Sequence, residues 1–282
     1  MVTMEGEKME VKAKLKREKG LTEVIDMGIG LNATEDMVML AGDYIELVRL
    51  AGAMAVLYPK NILIRKLGLL KSADIVVVSG GSIFERFIRD NDIEKLDNIF
   101  IDDYILPLGF DEVEIAAPGL NPPNEFLFKC VEKITSRGVP VHFEIGFKDP
   151  KKDKAFTIKE RIKVMKHALD AGVDKLKVEG RESGIDIGIF DEDGNVDKAI
   201  LDDYLNQMDA MDISINDVIW EAPLKKQQAE LIKVLGPQVN IGNVPWDRVI
   251  LLEGFRQGVK FETLHLVKDK GMLEHSRDNL TI

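Results

Sequence analysis

The chain has 282 residues, of which 45% are hydrophobic and 31% charged, and a formal net charge of -11. That apolar content supports one large core and excludes a disordered chain; the negative charge argues against nucleic acid or an anionic membrane as the main partner and leaves room for a local pocket that takes a small anionic substrate. The single cysteine, Cys130, excludes an intrachain disulfide, no Cys/His spacing suits zinc, and without a signal-peptide layout or an apolar run of about 18 residues the expected setting is a reducing cytoplasm.

Residues 1–19 mix Lys and Glu and read as a charged, solvated extension ahead of Gly20. From Leu21 onward, short β-rich runs alternate with longer amphipathic stretches. The runs are EVIDMG (23–28), YIELVRL (44–50), DIVVVSG (74–80), EVEIAA (112–117), VHFEIG (141–146), KLKVEG (175–180), DVIWEAP (217–223) and QVNIGNV (238–244). Helical patterns are clearest at 123–137, 157–171, 198–210, 224–235 and near 246–257, and residues 91–110 belong to the third helical layer. Gly138, Gly172 and Gly236 stand where a left-handed residue closes a helix before the next strand. Eight βα units in a chain of this length, with no polar edge strand, predict an α/β fold of the (β/α)8-barrel type over 20–266, followed by a tail at 267–282.

In such a barrel the C-terminal strand ends build the active site. Glu144, Glu179 and Glu221 close three consecutive strands, so their carboxylates can converge. Three like charges in one place call for a proton or a cation, and hard oxygen ligands suit Mg²⁺. The competing reading is that each Glu pairs with a basic residue on a neighbouring strand. Asp26 holds a similar place on the first strand, either as a ligand of substrate or metal or as the ion-pair partner of Arg49. Glu46 and Glu114 lie inside strands, where a lumen-facing carboxylate needs a partner. Lys148 is either an acid at the barrel mouth or one more solvated loop lysine.

EGRESG (179–184) offers Arg181, Ser183 and glycine amides to phosphate or carboxylate; NIGNVP (240–245) adds Gly242 and Asn243, and Arg256 lies on the helix that follows. Plain tight turns are the alternative for each loop. Gly80-Gly81-Ser82 could offer amides to an anion but lacks nucleotide-binding spacing. His142, His167, His265 and His275 form no constellation and read as structural or exposed.

From about Leu21 to about Thr263 the chain resembles the phosphosulfolactate synthase family of coenzyme M biosynthesis. The pieces that carry the resemblance are GDYIELVRL (42–50), GGSIFE (80–85), LGFDEVEI (108–115), EIGFK (144–148), AGVDKLKVEGRESG (171–184), IWEAPLKKQQ (219–228), VNIGNV (239–244) and LLEGFRQG (251–258). The resemblance implies a (β/α)8 barrel and a magnesium-dependent addition of sulfite to phosphoenolpyruvate. It implies metal ligation by Glu144, Glu179 and Glu221, proton donation by Lys148, and anion binding by Arg181, Ser183, Gly242 and Asn243. The family pattern is broken at Met27, Arg49, Phe147, Ala116-Ala117-Pro118 and Lys260-Phe261-Glu262, where cationic or polar groups are lost or exchanged. A kept metal scaffold with an altered anion-binding set leaves three functions open: the family's lyase reaction, a related enolate-forming reaction on a less charged ligand, and a non-catalytic interaction protein. A homo-oligomer is compatible with the chain, although no interface is legible.

Overall fold

A computed structural model describes residues 20–266; the expected 1–19 extension, the 267–282 tail and His275 lie outside the described residues. Each predicted apolar run forms a short strand: β1 (Thr22–Asp26), β2 (Leu47–Leu50), β3 (Val76–Ser79), β4 (Glu112–Ile115), β5 (Val141–Ile145), β6 (Lys175–Val178), β7 (Val218–Glu221) and β8 (Asn240–Pro245). All neighbours pair in parallel, and β8 returns to β1, closing an eight-stranded barrel in sequence order. Several strands stop earlier than the apolar pattern suggests. At β1 the cause is Asp26, whose Oδ1 accepts from Gly28 N–H at 2.8 Å and Ile29 N–H at 3.1 Å and so turns the chain.

The helices α1 (Leu31–Ala41), α2 (Lys60–Ser72), α3 (Gly81–Asp90), the short α4 (Leu106–Leu108), α5 (Asn124–Thr135), α6 (Pro150–Ala155), α7 (Ile158–Asp170), α8 (Lys198–Asp209), α9 (Lys225–Leu235) and α10 (Val249–Arg256) connect the strands. The predicted helical layer at 91–110 includes a π-helical stretch, Leu96–Ile105, leading into α4. Gly138, Gly172 and Gly236 all adopt positive φ, as expected for helix-terminating positions. No helix among the described residues is long and apolar enough to cross a membrane.

Alternation along the strands divides the interior in two. One parity points outward into a continuous apolar layer under the helices, containing Val24, Val48, Val77, Val113, Phe143, Leu176, Trp220 and Ile241. The other parity fills the lumen. Its lower end is plugged by Leu21, Leu47, Val76, Val78 and Ile219, all buried. Above this plug the lumen is ionic, and that layer positions the candidate site.

Candidate active site

The residues that face inward above the apolar plug include Glu23 from β1, Arg49 from β2, Glu114 from β4, His142 and Glu144 from β5, Lys177 from β6, Glu221 from β7 and Asn243 from β8, with Glu179 just beyond β6. Arg49 spans the lumen. Its Nε lies 3.3 Å from Glu23, Nη1 3.0 Å from Glu114 and Nη2 2.9 Å from Glu221, and it also donates to the Asn243 carboxamide oxygen. Lys177, fully buried, bridges Glu114 at 2.6 Å and Glu23. Burial alone would raise the Glu114 pKa, but Arg49 and Lys177 outweigh it and hold the carboxyl well below the usual range. Gly81 N–H adds a bond to Glu114 at 2.9 Å, so the anion met by the glycine turn after β3 is an internal carboxylate.

A second cluster sits higher, at the barrel mouth. One carboxylate oxygen from each of Glu144, Glu179 and Glu221 lies within 4.8 Å of the others. Local chain geometry makes this possible. Gly146 has φ 137°, and a Cβ there would stand 2.6 Å from Glu179 Cβ, so only glycine lets the ends of β5 and β6 approach. Glu221 is aimed by Arg49 and by Gly180 N–H, 3.0 Å from its Oε2. Glu179 Oε1 accepts from Arg181 N–H at 2.7 Å. The outer oxygens of Glu144 and Glu179 are buried and receive no hydrogen bond from the described residues.

Lys148 reaches over the cluster, 3.2 Å from Glu179 and 3.7 Å from Glu144. Burial lowers its proton affinity, but these carboxylates prevail and raise it above that of an ordinary lysine; its side chain is 37% exposed, and solvent tempers the pull. Across the two layers, five carboxylates (Glu23, Glu114, Glu144, Glu179 and Glu221) face three permanent cations (Arg49, Lys148 and Lys177), with His142 3.8 Å from Glu23; counting the imidazole as neutral, the formal excess is two negative charges. The excess is concentrated at the mouth. There, burial and neighbouring Glu179 push the Glu144 pKa well up, and burial raises that of Glu221 to about 7 against the opposing pull of Arg49. Three converging buried carboxylates, of which Glu144 and Glu221 resist ionisation and Glu144 and Glu179 share one partly exposed lysine, fit a divalent cation bound by hard ligands.

The turn that carries Lys148 is itself pinned. Asp153 is buried; its Oδ1 accepts Phe147 N–H at 2.9 Å, its Oδ2 accepts Gly188 N–H at 2.8 Å, and Arg161 pairs with it at 2.8 Å. One carboxylate thereby ties the loop after β5 to the loop after β6.

Comparison with known proteins gives this geometry a lineage. The family model described as (2R)-phospho-3-sulfolactate synthase (ComA) matches residues 10–262. The chain belongs to the phosphosulfolactate synthase family. It is 35% identical over 246 residues to the phosphosulfolactate synthase of Methanocaldococcus jannaschii, covering 87% of this chain and 94% of that one. It is 30% identical over 250 residues to that of Bacillus subtilis, covering 89% and 94%. Among solved structures, 3-hexulose-6-phosphate synthase from Salmonella typhimurium aligns with a TM-score of 0.50 at 12% identity, over 84% of this chain and 98% of that one; this likeness concerns the fold alone.

Within this family member, the structure brings Glu144, Glu179, Glu221 and Lys148 together as the sequence suggests, but cations are shared among the carboxylates rather than assigned one to each. Other expectations need correction. Asp26 pairs with Lys66 of α2, not with Arg49, and its second oxygen is committed to turn amides. Arg49 is enclosed by protein acceptors, so it positions Glu221 rather than meeting a ligand freely. Asn243 spends its carboxamide on Arg49 and on the Arg181 carbonyl, 3.2 Å away. Gly242 makes room: a Cβ there would stand 2.8 Å from Ile219 and 3.2 Å from Glu23. Arg256 lies at the opposite end of the barrel, donating to the carbonyls of Pro237, Val239 and Leu21 and sealing the N-terminal ends of β8 and β1. A helix that follows the last strand runs back toward the barrel floor, which places its final turn far from the mouth. Arg181 and Ser183 remain at the mouth, and their side chains have no polar partner among the described residues. Glu46 faces away from the ionic layer and accepts Thr22 N–H at 2.7 Å. Sequence reasoning missed Glu23 and Lys177 as lumen residues and Asp153 as a loop clamp. For Lys177 the signal was parity, since it lies two residues before Glu179; Glu23 stands at the opposite parity from Asp26, so that position gave no signal for it.

Proposed function

We propose that the chain is a magnesium-dependent lyase that joins sulfite to phosphoenolpyruvate, giving phosphosulfolactate. The observation that carries this reading is the convergence of three buried carboxylates, carrying uncompensated charge, beneath one partly exposed lysine at the mouth of a family-typical barrel. Glu144, Glu179 and Glu221 would hold the ion. When bound, magnesium supplies Lewis-acid stabilisation of the negative charge that spreads onto the substrate carboxylate as the nucleophile adds to the methylene carbon.

The protein's own groups do the rest. Arg181 and Ser183, uncommitted after β6, take the phosphate by charge-assisted hydrogen bonds. Glu144 and Glu179 keep Lys148 in its ammonium form, so it enters the reaction as an acid and delivers a proton to the carbon beside the new C–S bond. Arg49 keeps Glu221 aimed at the cluster, and Asp153 keeps the Lys148 turn against the loop that carries Arg181. The test is calorimetric titration of magnesium and phosphoenolpyruvate into wild type and Glu179→Gln. We expect the variant to lose both bindings while keeping its far-ultraviolet circular dichroism. Undiminished affinity in the folded variant would remove the site.

A further inference from the structure

Strict alternation along β8 would send Ile241 outward, Gly242 inward, Asn243 outward and Val244 inward. The barrel breaks that rhythm. Against β1, Thr22 pairs with Ile241 and Val24 with Val244, so a step of two residues on β1 faces a step of three on β8 across a bulge. Bulges are rare between parallel strands, and beside active sites they re-aim a side chain. This one returns Val244 to the outer apolar layer with Ile241 and leaves both Gly242 and Asn243 turned to the lumen. Asn243 has φ 53°, a left-handed backbone that asparagine tolerates better than most residues bearing a Cβ.

The two partners of the carboxamide fix which way it points. The Arg49 guanidinium only donates and takes the oxygen; the Arg181 carbonyl only accepts and takes an Nδ2–H at 3.2 Å. Arg181 is left-handed as well, with φ 54°, and its N–H donates to Glu179 at 2.7 Å. Hydrogen bonds on both sides of one Cα therefore hold a strained backbone in place. Asn243 itself is buried, so its influence on a ligand runs through Arg181. We propose that Asn243 is the positioning residue of the phosphate site: anchored on Arg49, it holds the Arg181 main chain in the conformation from which the guanidinium meets the phosphate of the acceptor. Because Arg49 also holds Glu221, the same carboxamide ties the loop after β6 to a carboxylate of the cation cluster. The inference rests on the reading of phosphoenolpyruvate as the acceptor and of Arg181 as its phosphate residue.

The experiment is a double-mutant cycle. Wild type, Asn243→Gly, Arg181→Met and the double variant are titrated with phosphoenolpyruvate at saturating magnesium by calorimetry, and kcat and KM are measured at fixed sulfite. Glycine keeps the positive φ and removes the carboxamide. Asn243→Asp is the second variant; it keeps an oxygen for Arg49 but has no donor for the Arg181 carbonyl. Circular dichroism and melting curves identify the folded proteins. Asn243→Gly should weaken phosphoenolpyruvate binding about tenfold, with the loss falling on KM more than on kcat. In the Arg181→Met background the same change should cost less than about twofold, because the group it positions is gone. Equal losses in the two backgrounds, or undiminished affinity in a folded Asn243 variant, would overturn the positioning role and leave the acceptor reading intact. Wild-type affinity in Arg181→Met would overturn it whatever the Asn243 variants do. A wild-type protein that binds no phosphoenolpyruvate with magnesium would remove the acceptor reading and the positioning role together.

Discussion

Leu176 and Lys177 are neighbours on β6, yet they sit in opposite media. Leu176 enters the apolar layer between sheet and helices, and Lys177 enters a lumen of crossed carboxylates. The outer layer is close-packed aliphatic and aromatic surface, whose burial drives folding. The inner layer is costly to desolvate and repays that cost only through good geometry and complete pairing. The stability of this barrel therefore resides in the shell, while the lumen serves to aim Glu221 and its neighbours upward. A buried ionic layer beneath a cluster of unsatisfied carboxylates is a rigid base for a site that must hold like charges together.

Three outcomes would break or sharpen that contrast. The largest effect is expected at Lys177. Lys177→Met leaves Glu23 and Glu114 to share Arg49 as their one permanent cation and should cost about 3–5 kcal/mol in urea unfolding. Leu176→Ala should cost about 2–5 kcal/mol through its cavity, but without changing magnesium affinity. If both substitutions leave magnesium affinity untouched, the lumen does not support the site. A smaller effect is expected at Asp153. Asp153→Asn weakens the clamp on the Lys148 turn and should lower kcat about 10- to 100-fold, with magnesium affinity largely kept. A matching loss in magnesium affinity would place Asp153 in the metal site instead of behind Lys148.

The smallest effect is one of pH. The Glu221 pKa rises from an ordinary 4.5 to about 7 in the folded chain. The folded state therefore binds more protons than the unfolded state between these values, and stability in chelator should fall as pH rises through that window. Magnesium displaces the proton, so the stabilisation it gives should grow over the same range. Melting temperatures at pH 5 and pH 8, with chelator and with magnesium, measure both slopes. Glu221→Gln should flatten the chelator slope; an unchanged slope in that variant would assign the titration elsewhere.

Much of this was legible in one dimension. Eight apolar runs spaced by amphipathic stretches predict the barrel, and Glu144, Glu179 and Glu221 at corresponding strand ends predict their meeting. What was hidden were the partners. Asp26 and Lys66 are separated by α1, β2 and the first half of α2, and nothing local fixes the phase of α2 relative to the first strand, so their pairing could not be read. Arg256 follows the last strand, where phosphate-binding residues of this fold are found, but chain direction in a helix reverses the end of the barrel it reaches.

The sequence by itself determined the number of staves, the parity that sends Leu176 outward and Lys177 inward, and the acidic residues at the rim, because these depend on local periodicity and chain order. Tertiary structure alone decided which cation neutralises which carboxylate, which anions are left in excess, and that Gly146 and Gly242 clear the space between them. Those outcomes depend on distances across a closed ring. No local pattern encodes a distance between residues that meet only when the last strand returns to the first.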